Sequence, residues 1–118
     1  MLVLPFAKDG FVEIKASNAK DPIWVLSVVD LDAETGDSKL VLSEVKIGQE
    51  PTIQPTEING WYTRGTKVSV AHNGAGLVIH VLPPERQSGR VRIGFEDKSF
   101  NYIINRPGYS KQRPKTAV

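Results

Sequence analysis

The chain has 118 residues, 40% hydrophobic and 24% charged, which fits one soluble globular domain and leaves no room for a second independent core. It has no cysteine, so disulfide frameworks, thiolate zinc sites and cysteine nucleophiles are excluded together. No stretch approaches the roughly 18 apolar residues of a membrane span.

MLVLPFAKDGFVEI has only a short apolar run, with no basic segment before it and no small-residue cleavage site after it, so it does not read as a signal peptide and a cytoplasmic protein is expected. Met1 to Phe6 and Phe11 to Lys15 read as two short strands. Lys8-Asp9-Gly10 reads as the tight hairpin turn between them, because Asp-Gly tolerates positive φ. After a polar loop closed by Asp21-Pro22, IWVLSVVDL (Ile23 to Leu31) is β-branched and almost continuously apolar. That pattern predicts a central strand covered on both faces.

The carboxylates Asp30, Asp32, Glu34 and Asp37 alternate like those of a calcium loop. Counted from Asp30, however, the positions that need Gly and a bidentate Glu hold Thr35 and Val41. A solvated hairpin turn fits better, with KLVLSEV (Lys39 to Val45) as the returning strand. Gly48 to Pro55 holds two prolines and reads as an irregular or edge segment. Asn59-Gly60 and Asn73-Gly74 are turn signals that bracket WYTRGTKVSVAH, which predicts one or two short strands. Trp61-Tyr62 fits either a stacking platform or core aromatics, and core burial is the commoner use.

Leu77 to Arg106, LVIHVLPPERQSGRVRIGFEDKSFNYIINR, alternates apolar and polar residues at period two and breaks at Pro83-Pro84 and Ser88-Gly89. It predicts a half-buried hairpin plus one further strand with a basic outer face. Arg90 and Arg92 share that face if Val91 and Ile93 point inward. The hairpin echoes residues 24–43 in plan, which supports both hairpins. His72 and His80 have no third ligand at a recognised spacing, so a zinc site is not expected. Gly74-Ala75-Gly76 lacks the third glycine and following helix of a phosphate cradle. No catalytic constellation or cofactor motif can be assembled, so an enzyme and a small-molecule substrate are not expected. No window shows a helical apolar period. The fold class is therefore all-β, a small antiparallel sheet or barrel-like domain over residues 1–108, followed by a flexible basic tail over 109–118.

Charge is divided unevenly along the chain. Residues 1–60 carry five lysines against ten carboxylates, a balance of −5, and residues 61–118 carry ten bases against three acids, a balance of +7. The split points to a polyanion partner for the second half, or to the acidic half of one chain packing on the basic half of another.

GRVRIGFE, followed by a polar turn and the strand FNYIINR, resembles the carbon storage regulator family (CsrA/RsmA), small dimeric RNA-binding proteins. LVIHVLPPERQSG resembles the family's third strand and its turn. Both MLVLPFAKDGFVEI and LVLSEVKIGQEPTI (Leu40 to Ile53) resemble its opening strand, the second more closely in residue type, which puts the unit within residues 40–106. The resemblance implies a strand-interleaved homodimer whose first and fifth strands bind GGA-containing RNA loops and regulate translation. By position Arg106 matches the arginine ending the fifth strand, and Leu42 and Ser43 match the end of the first. With Arg90 and Arg92 from the charge pattern, these are the expected RNA-binding residues. An arginine fork can bridge phosphate and base acceptors while an exposed strand edge reads unstacked bases. The competing expectation is a β-rich interaction or assembly module, a subunit of a larger complex, that binds no nucleic acid.

Overall fold

A computed structural model describes residues 1–44, 54–72, 74–84, 89–98 and 101–106, and among them the protein is all-β with no helix. Nine strands form: β1 (Leu2–Phe6), β2 (Phe11–Ala16), β3 (Trp24–Asp32), β4 (Asp37–Glu44), β5 (Gln54–Tyr62), β6 (Lys67–His72), β7 (Ala75–Leu82), β8 (Val91–Glu96) and β9 (Tyr102–Asn105). They build two antiparallel sheets, ordered β1-β8-β7-β6 and β5-β4-β3-β2-β9. The absence of any long apolar helix among the described residues means that no helix there can cross a membrane.

The period-two pattern decides which side chains meet between the sheets. In the five-stranded sheet Leu26 faces Leu42 and Val28 faces Leu40; in the four-stranded sheet Ile79 faces Phe95 and Val81 faces Ile93. All are buried, and they join Phe6, Val12, Ile14 and Ile58 in a single core. Each such aliphatic or aromatic side chain contributes about 1.5–3 kcal/mol on burial, so this sandwiched layer is the main source of stability.

The first two strands form as expected but do not pair with each other. β1 pairs with β8, whereas β2 pairs with β3 and β9, so Ala7–Gly10 is a corner between sheets and not a hairpin. The positive φ falls on Asp9, at 69°. Two bonds hold the corner to β3, the neighbour of β2 in the five-stranded sheet: Asp9 N–H donates to the Val28 carbonyl (2.8 Å), and Val28 N–H donates to the Gly10 carbonyl (2.9 Å). Inter-sheet packing thus outweighs the local turn signal.

β3 is the central strand of its sheet, but only one face is covered. Trp24, Leu26 and Val28 are buried while Val25, Ser27 and Val29 are half-buried on the outer face. Asn59-Gly60, expected as a turn, instead lies inside β5, where Asn59 pairs with Val41 and Gly60 with Leu40. Among the described residues β5 pairs only with β4, and the pairing there carries a register shift between Val41 and Ser43, so glycine's freedom absorbs an irregular edge strand without making a turn. β6 and β7 pair as a hairpin from His72 and Ala75 onward, with Gly74 at φ 81° between them. β7 and β8 pair as the expected hairpin, and β9 then crosses to the other sheet. Most of the proline-containing segment (48–53) and the basic tail (109–118) lie outside the described residues.

Candidate nucleic-acid interface

Following the sheet orders round the molecule, β9 returns beside β1, leaving a seam where two edge strands face each other without a ladder between them. Arg106, just past β9, reaches across this seam. Its guanidinium donates to the Pro5 carbonyl and lies over the Phe6 ring, 4.8 Å from the centroid. Phe6 is buried in the core, so the arginine clasps one sheet to the other through a charge-assisted hydrogen bond and a cation–π contact.

Of the other two arginines, Arg90 lies at the same place and Arg92 on the neighbouring strand. Val91 and Ile93 point inward as expected, so Arg92 projects from the outer face of β8, opposite Pro5. Arg90, exposed, precedes β8 and lines a cleft of about 340 Å³ with Arg106, Pro5, Phe6 and the β1–β2 corner. Phe11 completes it. Because Val12 and Ile14 face the core, Phe11 points the other way and remains 43% exposed at the cleft. Asp9 also borders the cleft, and Lys8 is exposed at the same corner. Two guanidinium groups beside an exposed aromatic ring provide phosphate-binding forks next to a surface on which a base can stack.

Leu42 and Ser43 are placed elsewhere. Leu42 is buried in the core and Ser43 is 7% exposed, both on β4, which is flanked on both sides by β3 and β5. β4 is thus not an edge strand, and the structure does not bring Leu42 and Ser43 to the cleft that Arg106 lines. β8 and β9, neighbours in the sequence resemblance, also lie in different sheets.

Phe11 was not singled out by sequence, although the alternation FVEI already placed it opposite Val12 and Ile14. The identity of its neighbours could not be read, because it depends on β1 and β2 lying in different sheets. Trp61 reverses the expectation of a core aromatic: it is 53% exposed on edge strand β5, whereas Tyr62 packs against the core.

The remaining polar chemistry lies towards the other end of the seam. His80 Nε2 and Glu96 Oε1 are 3.0 Å apart, and Lys98 Nζ stands 3.9 Å from Glu96 Oε2. The hydrogen bond to His80 is the main cause that lowers the Glu96 pKa below the ordinary glutamate value, with Lys98 helping. Tyr102 is held above the usual tyrosine value chiefly by burial, and its hydroxyl donates to the Ala75 carbonyl. His72 meets the Trp24 ring edge-on at 6.1 Å. Among the described residues no group of three or more metal-ligating side chains is found.

No family model, curated protein or solved structure matches the chain.

Proposed function

We propose that the protein is a non-enzymatic, cytoplasmic RNA-binding module of the post-transcriptional regulator kind, and that it takes single-stranded RNA at the Phe11–Arg90–Arg106 cleft. The observation that carries this reading is the convergence of Arg90 and Arg106 on one cleft around Pro5 and Phe6, beside the exposed Phe11 ring. The concentration of positive charge in residues 61–118 supports it. A fluorescence titration with a single-stranded RNA oligonucleotide at two salt concentrations tests it. Phosphate contacts impose a steep loss of affinity with salt, and binding that is absent or indifferent to salt would remove the reading.

A homo-oligomeric assembly module is the second reading, favoured by a different observation. Leu2 is 45% and Val3 37% exposed on edge strand β1, and Ile103 is 42% exposed on edge strand β9. Exposed apolar edge strands are templates for pairing with another chain. Light scattering across concentration and salt would reveal a dimer or larger species on this reading, and a monomer throughout would end it.

A further inference from the structure

The edge strands of the two sheets are β1, β6, β5 and β9, and three of them carry features that discourage pairing with another strand. β1 holds Pro5, which has no N–H to donate; β9 is only 4 residues long; β5 combines Pro55 with the register shift against β4. β6 has none of these. It runs in unbroken register with β7, from Lys67–His80 to His72–Ala75, and among the described residues it pairs with no other strand. Its one lysine, Lys67, stands at the start of the strand.

The ladder between β6 and β7 fixes which backbone groups face outward. Val81 N–H donates to the Thr66 carbonyl at 2.9 Å, and bonded pairs alternate with non-bonded ones along an antiparallel ladder. Counting on from Thr66–Val81, the bonded pairs are Val68–Ile79, Val70–Leu77 and His72–Ala75. The N–H and C=O of Lys67, Ser69 and Ala71 therefore point away from β7, along the open edge. Side chains divide in the same way. Lys67, Ser69 and Ala71 are exposed on the outer face, whereas Val68 and Val70 pack towards the core but stay half-buried, where their partners Ile79 and Leu77 are fully buried.

We propose that β6 pairs antiparallel with β6 of a second copy of this chain, about a two-fold axis through Ser69, joining two four-stranded sheets into one. Residues opposed across such a pair share a face, and the register that engages the open groups of Lys67, Ser69 and Ala71 on both strands is the one centred on Ser69. Ser69 then faces its own copy, and Lys67 faces the partner's Ala71, so no like charges are opposed. On the inner face Val68 meets the partner's Val70, which completes the burial that the free edge leaves unfinished. The proposal shares its partner with the homo-oligomeric reading but not its surface, β1 and β9, and no β6 residue lines the RNA cleft.

Because the chain has no cysteine, a single introduced thiol reports on this contact alone. Ser69→Cys places two thiols at the axis with Cα atoms about 5.5 Å apart, within disulfide reach. Lys67→Cys, on the same edge, sets them about 13 Å apart along the strands and beyond reach. Under mild oxidation Ser69→Cys should form a disulfide dimer many times faster than Lys67→Cys. Sedimentation velocity should show wild type passing from monomer to dimer as concentration rises, while Ser69→Lys, which opposes two like charges at the axis, stays monomeric with an unchanged circular dichroism spectrum. A wild type that is monomeric at every concentration, or equal disulfide rates for the two cysteine variants, would overturn the proposal. Dimers that persist in Ser69→Lys would overturn it too, while leaving the homo-oligomeric reading standing on another edge. Should Ser69→Lys fail to fold, the two cysteine variants decide.

Discussion

Arg106 was expected to work as an exposed ligand for RNA, and its position gives it a second task. The guanidinium ties Pro5 and Phe6 of β1 to the end of β9, so its removal should weaken the fold as well as any binding. A charge-assisted hydrogen bond contributes roughly 1.5–3 kcal/mol and an exposed cation–π contact about 0.5–1 kcal/mol. With Arg106 partly exposed, solvent screening favours the low end, and Arg106→Ala is expected to lower stability by about 1–2 kcal/mol in urea denaturation. Arg106→Lys should recover only part of this, since the planar fork cannot be replaced by a point charge. An unchanged denaturation midpoint for Arg106→Ala would show that the clasp contributes nothing. Phe11, exposed and outside the core, is therefore the cleaner probe of binding. Loss of a stacking ring costs roughly 1–3 kcal/mol per base in single-strand recognition, and Phe11→Ala should lower RNA affinity accordingly with little change in melting temperature.

At the scale of strands and turns, the β3–β4 hairpin shows how a local residue choice serves the sandwich. Asp32 Oδ1 accepts the Glu34 and Thr35 N–H groups, and Gly36 takes φ 87°. A Cβ on Gly36 would lie 2.7 Å from Pro84 Cδ, so this turn closes onto the end of β7 on the other sheet. Gly36→Ala meets both a positive φ and that ring, and should destabilise by about 1–3 kcal/mol; a calorimetric melting temperature equal to wild type would refute the account of the turn. The strands themselves were legible because alternation is a local signal: Val91 and Ile93 could be assigned inward from the sequence, whereas the almost continuously apolar Ile23 to Leu31 hid the division between buried Leu26 and half-buried Val25. Pairing partners were not legible where they depend on elements far apart in the chain. The Asp9-Gly10 corner carries hairpin chemistry, yet β1 finds its partner in β8, about 90 positions later, because the exposed edge of β8 and the buried Phe6 decide the matter. Asn59-Gly60 failed as a turn for the same reason, since pairing with β4 holds it extended.

Across the whole molecule, the arginines collect at one end of the seam around β1, and Glu96 and Asp97 lie at the other. Both ends draw these charges from residues 61–118, so the split between the halves of the sequence does not map onto the seam. The arginines could be named from sequence, but their convergence with Phe11 depends on β9 returning beside β1, which no short-range pattern announces. The seam also sets an acid limit on stability. Glu96 has its folded pKa depressed mainly by the His80 hydrogen bond, so its contribution is present above the pKa of an unfolded glutamate and is lost as pH falls through the folded value. Carboxyl NMR titration of Glu96 should give a midpoint below that of an ordinary glutamate, and His80→Ala should move it upward. A Glu96 midpoint insensitive to His80→Ala would contradict that pairing.

The RNA-binding claim is tested most directly by the salt dependence of single-stranded RNA affinity in wild type and Arg90→Ala. A phosphate contact to single-stranded nucleic acid contributes about 0.7 to the slope of log affinity against log salt. Wild type should therefore bind with a steep negative slope, and Arg90→Ala should bind more weakly with a slope shallower by about 0.7. A slope identical in the two proteins, or no RNA binding by the wild type at low salt, would contradict the assignment of the arginine cleft as a nucleic-acid interface.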